Sequence, residues 1–136
     1  MIVLFPFEKE FYYHHGINVE CVGHPLLDIV KSTAQKTEFL SRYGFSDKNP
    51  TIALLPGSRR SEIRHILPVM EKSARLINRK MGNAQFLVAK SPHLPAQLYE
   101  QILKNAPFPY KVIEGKTYDV LGASDFALVC SGTATL

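Results

Sequence analysis

The feature that most constrains the fold is a regular alternation of apolar runs and helical stretches from Thr51 onward. Strand-like runs begin with "TIALL" and recur as "AQFLVA", "YKVIEG" and "FALVC", and each is separated from the next by a helical segment. Short apolar runs that alternate with helices favour parallel strands joined by crossover helices. The sequence therefore predicts an α/β fold, in which a parallel sheet is flanked by helices on both faces.

The segments before Thr51 predict shorter elements. "IVLF" and "VECVG" are typical of short strands, "EKEFYYHHG" of a short helix, and residues 37–43 of another helix. In the long helix after "TIALL", apolar residues recur at helical spacing and predict one buried face: Ile63, Ile66, Leu67, Met70, Ala74 and Ile77. We expect Glu71 to lie largely off this face, and we expect a kink or a restart of the helix at Pro68.

Size and charge limit the classes of function. A chain of 136 residues with 46% hydrophobic content is one domain or part of a larger protein, and its net charge of +4 favours anionic partners in general. We expect no nucleic-acid partner, because the basic residues are spread out and no zinc-finger spacing or RNA-recognition strand motif occurs. The first apolar run is interrupted by Pro6, Glu8 and Lys9, so we expect neither a signal peptide nor a membrane span, and a cytoplasmic protein.

Two strand ends carry residues suited to an anionic ligand. In "LLPGSRRSE", Gly57 permits close backbone approach, Ser58 could cap the helix or donate to an oxyanion, and Arg59 offers a planar fork for phosphate oxygens. In "VCSGTATL", two hydroxyl residues surround a glycine at what resembles another helix start: Ser131, Gly132 and Thr133. Parallel strands place their carboxyl ends at one sheet edge, where ligands bind. We therefore expect both junctions to face one diphosphate, although each taken singly could simply cap a helix.

Known phosphate and metal motifs are absent from the sequence. Neither junction has the lysine and serine/threonine ending of a P-loop or the triple-glycine spacing of a dinucleotide fingerprint. The two cysteines, Cys21 and Cys130, are far apart in sequence, and no histidine forms a metal-spaced pair with a carboxylate on a helix. The sequence therefore predicts no metal site and no cofactor.

Three further polar residues are candidates for roles beside the ligand. In "VGHPLLD", His24 and Asp28 could stand beside a ligand, or they could satisfy backbone groups and cap the next segment around Pro25. Glu62 follows Arg59 by three positions, so it could hold that arginine or close a capping box with the backbone of Ser58 or Arg59. We expect all three to hold in place the groups that bind the ligand, rather than to bind it themselves.

An aromatic cluster near the start of the chain offers a possible contact surface: Phe5, Phe7, Phe11, Tyr12 and Tyr13. These residues could touch lipid, but aromatic residues near a helix are more often part of a protein core. No large one-sided basic helix accompanies them in the sequence. We expect them to pack against protein outside this chain.

Several strings together resemble one family. "FPFE" with "FYYHHG", then "VECVGHPLLD", "LLPGSRRSEI" and "SGTATL" occur in the order and approximate spacing of lipid-A-disaccharide synthase, a bacterial glycosyltransferase. "VGHPLLD" followed by "LLPGSRRSEI" is specific, whereas "SGTATL" alone is shared with other nucleotide-sugar enzymes. The resemblance covers nearly the whole chain.

The resemblance implies a two-domain GT-B architecture with Rossmann-like sheets. It implies transfer of 2,3-diacylglucosamine from UDP-2,3-diacylglucosamine to 2,3-diacylglucosamine 1-phosphate (lipid X), with inversion, giving lipid A disaccharide 1-phosphate and UDP. No metal or other cofactor is implied. The protein would work in lipid A and lipopolysaccharide synthesis, peripheral on the cytoplasmic face of the inner membrane. A homodimer stays an open alternative.

The resemblance also assigns residues and boundaries. It places Gly57, Ser58 and Arg59 in the first substrate-binding loop, with Arg59 stabilising the leaving diphosphate, and it matches Ser131, Gly132 and Thr133 to the second. Residues 1–28 would be the end of the N-terminal acceptor domain and the linker, and residues 29–136 the first part of the UDP-sugar-binding domain. The general base, and a glutamate that reaches the ribose, would lie outside this chain. We therefore expect a fragment that is inactive alone.

Two other interpretations stay open. One is a related UDP-sugar enzyme of the GT-B class, such as a UDP-N-acetylglucosamine epimerase or another transferase, which would keep the phosphate loops without the acyl-sugar acceptor. The other is a nucleotide-binding domain without catalysis. A glutamate directly after Leu136 and an upstream acceptor domain would favour the synthase.

Overall fold

The computed structural model describes residues 1–132, which divide into two compact units, Met1–Lys31 and a second unit that begins at Ser32. The predicted domain boundary after Asp28 remains a prediction. In the first unit, strand β1 (Ile2–Val3) is followed by helix α1 (Pro6–His14), strand β2 (Glu20–Cys21) and helix α2 (Leu26–Ile29). The strands β1 and β2 pair in parallel.

The second unit contains four strands and four helices within the described residues. The order along the chain is α3 (Lys36–Arg42), β3 (Thr51–Leu55), α4 (Arg60–Met81), β4 (Gln85–Lys90), α5 (Ala96–Leu103), β5 (Tyr110–Glu114), α6 (Thr117–Gly122) and β6 (Phe126–Val129). All strand pairs are parallel, and the strand order in the sheet is β5-β4-β3-β6. The predicted α/β class, with a Rossmann-like parallel sheet flanked by helices, is confirmed.

The two central strands, β3 and β4, are buried on both faces, whereas the edge strands β5 and β6 are partly exposed. On one face, side chains of α4 and α5 pack on alternate residues of the strands, and the fully buried residues include Ile63, Leu67 and Tyr99. On the other face, Phe39 and Leu40 of α3 and residues of α6 cover the remaining strand positions. Successive side chains of a strand point to opposite faces of the sheet, and they therefore belong alternately to two separate hydrophobic clusters.

Two positions of the long helix bear on the sequence prediction. α4 runs through Pro68 as one helix, which excludes a restart there, and the alternative of a kink stays a prediction. Pro68 has no N–H, so the carbonyl of Arg64 lacks the helical hydrogen bond that residue 68 would otherwise donate. Arg64 is exposed, and water can hydrate this carbonyl. Glu71 lies on the buried side rather than off it, because its carboxylate pairs with Arg75 at 2.5 Å.

Candidate functional site

The candidate site lies at the carboxyl edge of the sheet, between β3 and β6. The chain proceeds from β3 to β4 and β5 in one direction, and β6 then pairs on the opposite side of β3. The crevice between β3 and β6 is therefore the point where the strand order reverses. In open α/β sheets, ligands bind outside the carboxyl ends of the strands at such a point.

The two predicted junctions leave the sheet side by side. Leu55, the last residue of β3, is the register partner of Val129 at the end of β6. The backbone N–H of Cys130 donates to the carbonyl of Leu55 at 2.8 Å, which extends the pairing by one step. The loop of Gly57 to Arg59 and the segment of Ser131 and Gly132 thus start from neighbouring positions on one edge.

The first loop is shaped around a glutamate. The Glu62 carboxylate accepts hydrogen bonds from the backbone N–H groups of Ser58 (2.8 Å) and Arg59 (3.1 Å). Arg59 is the N-cap residue of α4, so Glu62 supplies the glutamate half of a capping box, and Ser58 does not cap the helix. Gly57 has φ +108°, and a Cβ built there would lie 2.9 Å from Glu62 Cβ. Position 57 therefore needs glycine for its backbone angle and for the space that Glu62 occupies.

The charges of this loop are arranged asymmetrically. Hydrogen bonds from the N–H groups of Arg59 and Ser58 hold the pKa of the Glu62 carboxyl below its ordinary value. Arg59 Nη1 lies 3.4 Å from Glu62 Oε1, yet the Arg59 side chain is 81% exposed. The backbone amides of Ser58 and Arg59 are thus engaged by Glu62, whereas the Arg59 guanidinium remains accessible. The loop can offer an anion mainly the Arg59 side chain and the exposed Ser58.

The second junction is described through Gly132. Ser131 and Gly132 are both exposed after the end of β6, and Gly132 has φ +124°, which favours glycine. Thr133, the third residue predicted there, lies outside the described residues.

His24 and Asp28 belong to the first unit. His24 Nδ1 accepts a hydrogen bond from the Leu26 N–H at 3.1 Å, and the His24 ring lies 5.5 Å from the Phe5 ring. Asp28 is inside α2 and does not cap a following segment, so that interpretation of Asp28 is wrong. Their placement beside a ligand stays a prediction.

Lys90 is a charged residue at the carboxyl edge that the sequence interpretation missed. It ends β4, the other neighbour of β3, and its side chain is 7% exposed. Its Nζ lies 3.0 Å from Glu114 Oε2 and donates to the Ser91 carbonyl at 3.2 Å. The signal was available in the sequence, because a lysine that closes an otherwise apolar run must find partners if the strand is buried.

The described residues hold no group of three or more histidine, cysteine, aspartate and glutamate side chains that could bind a metal ion. No helix within residues 1–132 combines the length and apolarity needed to cross a membrane.

Comparison with known proteins gives one consistent family. The family profile described as lipid-A-disaccharide synthetase matches residues 1–136. The chain is similar to the lipid-A-disaccharide synthases of Syntrophus aciditrophicus (43% identity), Nitrosococcus oceani (39%) and Myxococcus xanthus (37%). Each alignment includes 100% of this chain but 35% or 36% of the relative. The chain therefore spans about a third of the length of the curated relatives it matches.

Proposed function

This chain belongs to the lipid-A-disaccharide synthetase family, and from that premise we propose that it forms the diphosphate-binding part of a glycosyltransferase of lipid A biosynthesis. The complete protein would transfer 2,3-diacylglucosamine from its UDP derivative to 2,3-diacylglucosamine 1-phosphate, with inversion and release of UDP. It would act on the cytoplasmic face of the inner membrane, where acylated acceptors reside. The relatives' names support the reaction class, and the donor, acceptor and location are carried over as part of the proposal.

The observation that carries the proposal is the adjacency of the two loops at the β3–β6 crevice. Leu55 and Cys130 are joined by a backbone hydrogen bond of 2.8 Å, so the loops after them begin within one strand spacing. A diphosphate that spans this distance would meet Arg59 on one side and Ser131 with Gly132 on the other. Phosphate oxygens accept hydrogen bonds from exposed hydroxyl, amide and guanidinium groups.

Arg59 would perform the electrostatic step. When the bond from the anomeric carbon to the diphosphate breaks, negative charge accumulates on the leaving oxygen, and a fixed cation lowers the energy of that transition state. Glu62 would keep the loop in shape by holding the N–H groups of Ser58 and Arg59. Because those amides are engaged, the guanidinium rather than the loop backbone is the main countercharge on this side.

Titration of the 136-residue chain with UDP, followed by amide NMR, tests the shared site. We expect signals of Ser58, Arg59, Ser131 and Gly132 to shift together with one apparent Kd, because both loops contact the same diphosphate. Uridine is the matched control, since it lacks the phosphates and should leave these signals unchanged.

Signals at the opposite edge of the sheet, such as those of Thr51 and Asp125, report on non-specific change and should stay constant. Shifts confined to one loop would reject the shared site. Equal shifts with uridine and UDP would reject diphosphate recognition while leaving a nucleoside site.

A further inference from the structure

The segment that joins β3 to α4 and opens the helix contains one carboxylate among basic residues. Residues 56–70 hold three arginines and a single acidic residue, Glu62. Oε2 of Glu62 accepts from the backbone N–H groups of Ser58 and Arg59, and Oε1 lies 3.4 Å from Arg59 Nη1. A negative charge is therefore held directly beside the guanidinium that is the proposed countercharge for the diphosphate.

The shape of this loop does not require that Glu62 be charged. A capping box can be closed by glutamate or by glutamine, because the backbone N–H groups need only an oxygen that accepts. The contact with Arg59 does little to fix the guanidinium, since the Arg59 side chain is 81% exposed and exposed ion pairs contribute little. The charge of Glu62 thus has an effect that can be separated from its hydrogen bonds.

Glu62 is ionised at neutral pH and only partly balanced by its neighbours. Hydrogen bonds from the N–H groups of Arg59 and Ser58 hold the pKa of the Glu62 carboxyl below its ordinary value of 4.5. Within residues 1–132, Arg59 is the one cation that forms an ion pair with it. A guanidinium carries one positive charge, so Arg59 cannot balance both Glu62 and a phosphate with two negative charges.

The proposed donor and product differ in charge at the phosphate that the proposed function puts next to Arg59. In a UDP-sugar this phosphate is esterified on both sides and carries one negative charge. When the bond to the anomeric carbon breaks, the electron pair stays on the phosphate oxygen. The resulting terminal phosphate carries about 1.5 to 2 negative charges at pH 7, because its second ionisation occurs near pH 6.

We propose that the charge of Glu62 makes this loop selective for the diphosphate diester of the donor over the terminal phosphate of the product. The inference rests on the proposed function and adds a determinant of specificity to the same site. Like charges repel, so Glu62 weakens the binding of the product more than that of the donor. The transition state has a charge between the two and bears an intermediate cost. Released UDP would then compete less with the next donor molecule.

Glu62→Gln isolates the charge, because glutamine keeps an oxygen that can accept from both N–H groups. The 136-residue chain and this variant are titrated with UDP and with UDP-N-acetylglucosamine, and each Kd is taken from the amide signals of Ser131 and Gly132. Two unit charges about 6 Å apart in water change an affinity about threefold. We expect the variant to bind UDP-N-acetylglucosamine about threefold more tightly and UDP about ninefold, so the ratio of the two Kd values changes about threefold.

Asp47→Asn is the matched control for net charge. Asp47 is exposed in the connector before β3, at the opposite edge of the sheet. This substitution should leave the ratio of the two Kd values unchanged, because charges separated by more than a Debye length are screened. An equal change of the ratio in both variants would show an effect of net charge and overturn the assignment to Glu62.

Salt and a second assay separate charge from structure. The change of ratio in Glu62→Gln should disappear in about 1 M NaCl, and a change that persists there would overturn an electrostatic origin. In the complete protein, the same variant should lower the inhibition constant of UDP about threefold relative to the KM of the donor. A loss of affinity for both ligands by the same factor would give Glu62 a structural role only and would also overturn the inference.

The results distinguish this inference from the proposed function. An unchanged ratio of Kd values, with UDP-induced shifts at both loops of the original chain, would overturn the selectivity and leave the diphosphate site intact. The absence of shifts at both loops with either ligand would reject the diphosphate site, and the selectivity with it.

Discussion

The two edges of the four-stranded sheet differ in how their polar groups are used. At the amino edge, side chains close the ends of the strands: Gln85 bonds to the Ser46 backbone and to Thr51 Oγ1, and Asp125 accepts from the Thr51 N–H. At the carboxyl edge, Ser58, Arg59 and Ser131 are exposed. Hydrogen-bonding capacity that is satisfied internally stabilises the fold, and capacity that is left accessible can bind a ligand. We therefore expect substitutions at the amino edge to change stability, and substitutions at the carboxyl edge to change ligand binding.

The largest expected effect is on catalysis at the carboxyl edge. In the complete protein, Arg59→Ala should lower kcat by about 10²-fold or more, the scale observed when one fixed charge stabiliser is removed. The free energy of unfolding should change little, because the Arg59 side chain is 81% exposed. Steady-state assays of UDP release measure the first quantity, and chemical denaturation the second.

Arg60→Ala serves as the matched control, since Arg60 is the adjacent exposed arginine and has no assigned contact with substrate. It should retain activity within about twofold of the original. Near-normal turnover in Arg59→Ala would remove Arg59 from the mechanism.

The next effect is on stability at the amino edge. Gln85 is 2% exposed, and Gln85→Ala would leave the Ser46 backbone groups and the Thr51 hydroxyl without their partner. We expect the free energy of unfolding to fall by about 2–3 kcal/mol, since buried polar groups would lose their hydrogen bonds. Urea denaturation measures this change, with exposed Gln101→Ala on α5 as the control.

The comparison of edges also requires that Gln85→Ala, measured while still folded, leaves the UDP-induced shifts of Arg59 and Ser131 unaltered. A large change in UDP affinity would show that the two edges are coupled and would end their separation into a stabilising and a binding edge.

The smallest effect concerns Asp125. The Lys36 ammonium beside it, and then the Thr51 N–H, hold the pKa of the Asp125 carboxyl below its ordinary value of 3.8. A lowered native pKa means that the charged form stabilises the fold at neutral pH, and this contribution is lost as the pH falls through the native pKa. Asp125→Asn should lower stability by under about 1 kcal/mol at pH 7, because the pair is partly exposed.

Unfolding curves between pH 7 and pH 2 check the sign of this dependence. The difference between the original chain and Asp125→Asn should shrink as the pH falls below 3.8, where the aspartate becomes protonated. Lys36→Met removes the other partner and should show the same trend. A difference that grows toward low pH would contradict the assignment.

The sequence predicted the elements of the second unit well, because strand and helix periods are local properties of the chain. The positions of β3, β4, β5 and β6 follow directly from their apolar runs. The sequence could not predict that β6 pairs with β3 rather than with β5. Strand order depends on how the crossover helices pack over the whole sheet. The proximity of the two loops was therefore expected from the general rule for parallel sheets, and the specific neighbours came from the structure.

The candidate site was less accessible to sequence reasoning in its details. The sequence made Glu62 a candidate for holding Arg59 or for accepting from the backbone of Ser58 or Arg59. That its carboxylate accepts from both N–H groups depends on how closely α4 approaches the loop before it. The predicted position of Glu71 was wrong because periodicity assigns charged residues to the exposed side of a helix. The ion pair with Arg75 allows the Glu71 side chain to be buried. Such pairings between side chains are set by tertiary packing and have no local sequence signal.

The close approach of Glu62 to Gly57 links two positions that are five residues apart. A side chain at position 57 would collide with the glutamate, and loss of the glutamate would release the amides of Ser58 and Arg59. Positions 57 and 62 therefore form an epistatic pair, in which the effect of a substitution at one depends on the residue at the other. The contacts of Glu62 arrange the backbone of this loop when the chain folds, so the entropy of arranging that backbone need not be lost again when a ligand arrives.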